Sequence, residues 1–162
     1  MRLYVTDENQ YQLLGWSAER AGVANKWPDE TYAFGIRDAD APSDPLRAVL
    51  AYNAFYGFDC HMHIASDHTR RWATRATLAV IFGYPFLVRK VRRVTLQFSQ
   101  NNEKVSITGL KVGFKFEGIK RAGMEDGSDA IVMGMLPTPA TRDYKGANSL
   151  ERTKSKIEAG ER

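Results

Sequence analysis

Apolar and polar positions along this chain follow two rhythms, alternation and a three-to-four residue repeat, and each predicts an element. Residues 2–6 (RLYVT) read as a strand, and residues 8–22 repeat their apolar positions at helical spacing. NKWPDE is a turn. Tyr32, Phe34 and Ile36 alternate with smaller or polar neighbours, so 31–38 is a strand, joined by the Pro-containing loop DADAPSDP to a second strand over 46–57. CHMHIA continues the series, with Cys60, Met62 and Ile64 on one face and His61, His63 and Ala65 on the other. Residues 73–88 are apolar nearly all round and read as a buried helix whose last turn is disturbed by Gly83 and Pro85, with Arg89–Arg93 as its basic C-terminal end. A strand follows at 94–99. Residues 101–114 then predict a short helix capped by Asn101 or Asn102 and stopped by a left-handed Gly113. FKFEGIKR and AIVMGMLP are two further strands joined by the turn AGMEDGSD.

The order is strand, helix, three strands, helix, strand, helix, two strands. It predicts an α/β fold, a central and mostly antiparallel sheet flanked by helices, over residues 1–139. The pattern is lost after Pro139, and 140–162 reads as a flexible basic tail.

Composition narrows the setting. At 162 residues with 43% apolar and 26% charged residues, the chain suits one soluble domain, and no uncharged run approaches the roughly 18 apolar residues of a membrane span. The N-terminal ten residues lack the apolar core of a secretory signal and there is one cysteine, Cys60, so a reducing cytoplasm is expected. The net charge of +4 attracts polyanions, a description that fits nucleotide-bearing cofactors and nucleic acids equally.

All three histidines fall within DCHMHIASDHTRRWAT. His61 and His63 share a strand face with His68 just beyond, a pattern open to zinc with three His ligands and a water. It is equally open to proton transfer, since an imidazole of ordinary pKa near 6.5 is poised for that work. A lysine-type amine is neutral in only about one molecule in 2,500 at pH 7, so an acceptor of that kind wants a base. Asp59 and Asp67 are alternatives that also suit turn capping.

Asn102-x-x-Val105, then Gly113-Phe114-x-x-Glu117-Gly118 and Arg121, is similar to the Asn-x-x-Ser…Gly-Phe-x-x-Glu-Gly…Arg stretch of the GNAT superfamily of acetyl-CoA-dependent N-acetyltransferases, in its ribosomal-protein N-terminal acetyltransferase branch. Trp72-Ala73-Thr74-x-Ala76 stands where that family opens its cofactor helix. Two departures stand out: His68 and Arg71 occupy places where the family's phosphate loop has Arg or Gln and Gly, and Val105 replaces a serine hydroxyl, leaving Ser106 next to it.

The resemblance implies acetyl transfer from acetyl-CoA to a primary amine (a protein N-terminus, a lysine or a small molecule) by direct attack, with no metal. It assigns His61 or His63 to the proton and Ser106 to the leaving thiolate. It assigns the main chain at Ile64, Ala65 and Ser66 to the pantetheine, residues Thr69, Arg70, Arg71, Trp72, Ala73 and Thr74 to the diphosphate, and Asn102 to the pantetheine arm. Trp16, Trp27 and Tyr52 either line an acceptor pocket or pack in the core. No membrane is expected, a homodimer is open, and nucleic acid is a less favoured partner. The competing reading is an inactive GNAT-like binding module with a basic face.

Overall fold

The computed structural model describes residues 1–21, 27–43 and 45–138, with the Arg70 side chain also outside that set. The expected tail lies outside the described residues. Seven strands, β1 (Leu3–Thr6), β2 (Tyr32–Asp38), β3 (Leu46–Asn53), β4 (Asp59–Ser66), β5 (Arg93–Ser99), β6 (Lys115–Lys120) and β7 (Ala130–Met135), form one sheet in the order β1-β2-β3-β4-β5-β7-β6. Every neighbouring pair is antiparallel except β4 and β5, which are parallel. Among the described residues three α-helices accompany it: α1 (Gln10–Ala21), α2 (Arg75–Gly83) and α3 (Glu103–Val112). The mixed, mostly antiparallel sheet is the expected fold class, and every element falls in the expected order.

The period-two alternation separates two apolar layers. On one face Phe34, Leu50, Tyr52, Met62, Leu96 and Met133 pack with Trp72, Ile81, Phe82, Tyr84 and Phe114, burying one side of α2 and the residue that precedes β6. On the other, Leu13 of α1 is sealed against Ala33, Leu46, Val49 and Ala51. Burying one such side chain contributes about 1.5–3 kcal/mol, so these two clusters hold the helices to the sheet.

The predicted helix over 73–88 is two pieces. Thr74 caps α2 in a reciprocal capping box with Thr77, and after Gly83 the chain widens into one π-helical turn over Tyr84–Val88. Pro85 is the cause: it has no N–H for the carbonyl of Ile81, and the buried Tyr52 hydroxyl donates to that carbonyl instead, at 3.0 Å. Arg89 caps this turn while Arg93 already belongs to β5, so the basic run is shared between two elements rather than forming one helix end.

α3 matches its predicted signals. Asn102 Oδ1 accepts the Val105 N–H at 3.3 Å, and Gly113 ends the helix at φ 108°. Gly109 lets α3 lie close on the sheet, because a Cβ there would sit 3.1 Å from Met133 Sδ and 3.2 Å from Leu96 Cδ2. Gly118 lies inside β6 beside a register shift between Phe116 and Gly118.

Candidate active site

β4 and β5 pair only from Asp59↔Arg93 to Met62↔Leu96. Beyond that, residues 63–66 of β4 pair with β3 alone, through Ala51↔His63 to Ala48↔Ser66. The two parallel strands therefore part at His63.

The direction of each main-chain group in the gap follows from neighbouring bonds. Asp67 N–H donates to the Arg47 carbonyl at 2.9 Å, so odd-numbered residues of β4 direct their N–H groups to β3. The Phe58 carbonyl, reached by the Arg92 N–H at 2.8 Å, shows even-numbered residues facing β5. Ile64 and Ser66 thus present their N–H groups to the opening, where β5 no longer meets them. Ala65 does not: its N–H belongs to the β3 ladder, which removes it from the expected set.

The gap opens onto a cleft between the 66–73 segment and α3. One lobe of about 160 Å³ is lined by residues including Ser66, His68, Trp72, Lys104, Thr108 and Lys111. An adjoining lobe of about 100 Å³ adds Ile64, Asn102, Val105 and Arg20 of α1. Among the described residues no Asp or Glu lines either lobe. Lysines on α3 with His68 across from them give a wall suited to phosphate, and Ile107, Val112, Trp72 and Ala73 supply the apolar surface for a pantetheine arm. The donor set fits acetyl-CoA.

The 66–73 segment is held from within. Asp67 Oδ1 accepts both the N–H and the hydroxyl of Thr69, at 2.9 and 2.5 Å, and Asp67 Oδ2 meets Arg47 Nη1 at 3.1 Å. Arg47 reaches on to Asp38 at 3.0 Å. Burial pushes the Asp67 carboxyl up, but the Thr69 bonds and Arg47 outweigh it and its pKa falls below the ordinary value. His68 turns the chain at φ 66°.

These bonds revise several expectations. Thr69 spends its N–H and hydroxyl on Asp67. Thr74 spends its N–H on the Trp72 carbonyl and the Thr77 hydroxyl, and its own hydroxyl on the Thr77 N–H, so neither threonine's N–H is free for a diphosphate. Arg71, in the family's glycine position, lies exposed in a single 3₁₀ turn over Arg70–Trp72, whose backbone needs no glycine. Trp72 and Ala73 do line the cleft. Ser106 is absent from its walls, because two residues on from Lys104 is about 200° around the helix. The hydroxyl on the cleft side is that of Thr108, which donates to the Lys104 carbonyl at 2.8 Å.

The histidines divide. His63 Nε2 lies 3.1 Å from Asn53 Oδ1 and the ring packs on Trp27 with centroids 4.7 Å apart. Asn53 Nδ2 turns to Thr31 Oγ1 at 3.4 Å, so the amide oxygen faces His63, which must donate from Nε2 and keep its lone pair on Nδ1. Burial, with His61 adding to it, pushes His63 down to about 4. His61 is half-buried, its pKa lowered by burial and by Lys120 and Arg93, with Asp59 acting the other way. Asp59 accepts the Thr95 hydroxyl at 2.9 Å and pairs with Arg93 at 3.4 Å, and Arg93 also binds Glu117 at 2.5 Å. Glu117 therefore pairs across strands. Among the described residues no three His, Cys, Asp or Glu gather as a metal site would require.

Of the aromatics, Tyr52 is core, Trp27 donates to the Leu14 carbonyl and Ser17 hydroxyl at 3.0 Å each, and Trp16 carries the Arg20 guanidinium 3.7 Å above its ring. The residues that sequence reasoning missed are Lys104, Thr108 and Lys111. Their signal was the i, i+4, i+7 spacing, which marks one stripe of α3 without saying what it faces.

Solved structures share this architecture. The manganese-bound spermidine/spermine N-acetyltransferase SpeG of Vibrio cholerae superposes with a TM-score of 0.64 at 14% identity, over 83% of this chain and 92% of that one. A chimera of the same enzyme gives 0.64 at 13% identity, over 84% and 96%, and a point mutant gives 0.65 at 14%, over 89% and 96%. The fold is that of the GNAT acetyltransferases. No protein-family model and no curated protein matches the sequence, and the ribosomal-protein branch finds no support among these structures. Among the described residues no helix is long and apolar enough to cross a membrane.

Proposed function

We propose that this GNAT-fold chain is an N-acetyltransferase that moves an acetyl group from acetyl-CoA to a primary amine. The observation that carries the reading is the parting of β4 from β5 at His63, which leaves the Ile64 and Ser66 N–H groups facing a cation-lined cleft. Acetyl-CoA supplies an acyl group activated as a thioester. Ile64 and Ser66 grip the pantetheine and polarise the thioester carbonyl, where main-chain donors stabilise developing negative charge. Lys104 and Lys111 hold the phosphates, work that the family's glycine loop does elsewhere. Ile107 and Val112 exclude water along the arm.

His61 takes the proton from the incoming amine, directly or through a water, and Asp59 beside it favours the imidazolium that results. His63 is too weakly basic and its Nε2 is committed to Asn53. The acceptor class divides on charge. Spermidine is the substrate named for the structural neighbours, but among the described residues no carboxylate lines either lobe and Arg20, Lys104 and Lys111 do, which favours an amine of low positive charge.

Calorimetric titration with acetyl-CoA, followed by thioester consumption against peptides, polyamines, aminoglycosides and nucleosides, tests the reading. Micromolar binding and turnover lost in His61→Ala support it. Absence of acetyl-CoA binding sinks it and favours the inactive binding module.

A further inference from the structure

The end of β4 away from the cofactor cleft carries a second surface. There the tip of the β3–β4 hairpin meets the connection from the π turn into β5. The Phe58 carbonyl accepts N–H groups from Arg92 at 2.8 Å and Arg93 at 3.2 Å, and the Tyr56 N–H donates to the Asp59 carbonyl at 3.0 Å. The two loops are thereby stapled into one rigid projection. Ala54 (φ 51°), Gly57 (φ 83°) and Lys90 (φ 56°) adopt left-handed backbone to make its turns, a conformation that costs a non-glycine residue free energy and persists only where the surroundings enforce it.

These turns display aromatic rings and cations together. Tyr56 is 65% exposed and Phe58 51% exposed, an arrangement the core does not require. Arg89, Lys90 and Arg92 are exposed around them. The Arg89 guanidinium lies 3.8 Å over the Phe55 ring, and that of Arg92 lies 5.7 Å from the Phe58 centroid. Among the described residues Asp59 is engaged by Thr95 and Arg93, and Glu30 is the one carboxylate lining the adjoining hollow of about 490 Å³, beside Asn53, Phe55, Tyr56 and Arg89.

We propose that this projection binds single-stranded nucleic acid, with unstacked bases lying on Tyr56 and Phe58 and phosphates neutralised by Arg89, Lys90 and Arg92. Open aromatic faces set among cations are the two components of sequence-tolerant single-strand binding. A duplex keeps its bases stacked and offers these rings nothing beyond its phosphates. An anionic membrane would accept the same charges, but two half-covered rings, one bearing a hydroxyl, insert little apolar surface. The Tyr56 ring lies edge-on to His61 with centroids 6.5 Å apart, so the surface adjoins the proposed base, but it shares no lining residue with the cofactor cleft, and its failure would leave the acetyl-transfer reading intact.

The test is fluorescence anisotropy of the full chain with a labelled oligouridylate of roughly 12 nucleotides. Micromolar binding is expected, weakening steeply between about 50 and 200 mM salt. Tyr56→Ala with Phe58→Ala should weaken it at least about tenfold, while Tyr56→Phe with Phe58→Tyr retains it. Arg89→Gln with Arg92→Gln should lower both the affinity and the salt slope. Both aromatic positions are exposed, so unchanged thermal unfolding serves as the control for folding. No binding at low salt would overturn the proposal. So would binding indifferent to loss of the two rings, equal competition by inorganic polyphosphate, or preference for phosphatidylserine vesicles over the oligonucleotide.

Discussion

Asp67 and Arg47 are joined twice, by the Asp67 N–H donated to the Arg47 carbonyl at 2.9 Å and by Arg47 Nη1 lying 3.1 Å from Asp67 Oδ2. The main-chain bond sets which groups of β4 face the gap, and the side-chain bond holds the segment that walls the cleft. Arg47 thus holds one wall of a cleft whose lobes do not count it among their lining residues.

Arg47→Ala should therefore impair cofactor binding from a distance. The change leaves the buried Asp38 carboxylate without its cation and frees Asp67, and with it the Thr69 turn. Thermal unfolding should fall by about 5 °C. On the proposed function the KM for acetyl-CoA should rise more than kcat falls, because the segment walls the cofactor cleft while His61 stays in place. A variant that loses stability with KM unchanged would show Arg47 to be structural only.

The alternation along β4 predicts a pattern in amide exchange. With acetyl-CoA bound, the Ile64 and Ser66 N–H groups should exchange more slowly by at least about tenfold, one bond's worth of protection. Ala65, already in the β3 ladder, should not change. Hydrogen exchange read residue by residue decides this, and protection appearing at Ala65 instead would place a bulge in β4 that shifts every direction after it.

The sequence made the element order and the Gly113 stop legible for different reasons. Element order follows from apolar period, which the two-layer core enforces. Gly113 is legible because few residues other than glycine hold φ 108° cheaply. The chemistry was harder to read because it depends on which partner each polar group chooses. Thr74 looks like a phosphate ligand in the sequence, yet its hydroxyl caps α2. Ser106 and Thr108 are both hydroxyls on one helix, and only the packing of Gly109 on Leu96 and Met133 decides which faces the cleft. The family's motif fixes a spacing, and the burial around it fixes the role.

His63 should be neutral and inert through the physiological range. Its folded pKa, about 4, lies below the ordinary value of 6.5. As pH falls from about 6.5 to about 4 the unfolded chain takes up a proton that the folded chain refuses, so stability declines through that window and is unaffected above it, with a limiting slope of about 1.4 kcal/mol per pH unit. His63→Gln should flatten the decline. Nitrogen NMR should show the ring protonated at Nε2, and a proton on Nδ1 would break the assigned bond to Asn53. His63→Gln should keep most turnover, whereas His61→Ala should lose about 10²–10⁴-fold toward a lysine-type amine.

Lys104 and Lys111 provide the sharpest division between holding a phosphate and holding the fold. Both are exposed on α3 and line the same lobe, seven residues apart and so nearly in line along the helix. Reversing them removes two favourable charges and adds two unfavourable ones, at roughly 1 kcal/mol each near a solvated surface. Lys104→Glu with Lys111→Glu should weaken acetyl-CoA by about a hundredfold or more and flatten its salt dependence. S-acetyl-pantetheine carries the same thioester and no phosphate, and its weaker binding should be unchanged. A disturbed helix would weaken both ligands alike, and α3 would then owe its lysines to solubility. Loss confined to the phosphate-bearing ligand would place the diphosphate on α3, across the cleft from the turn that carries Arg71.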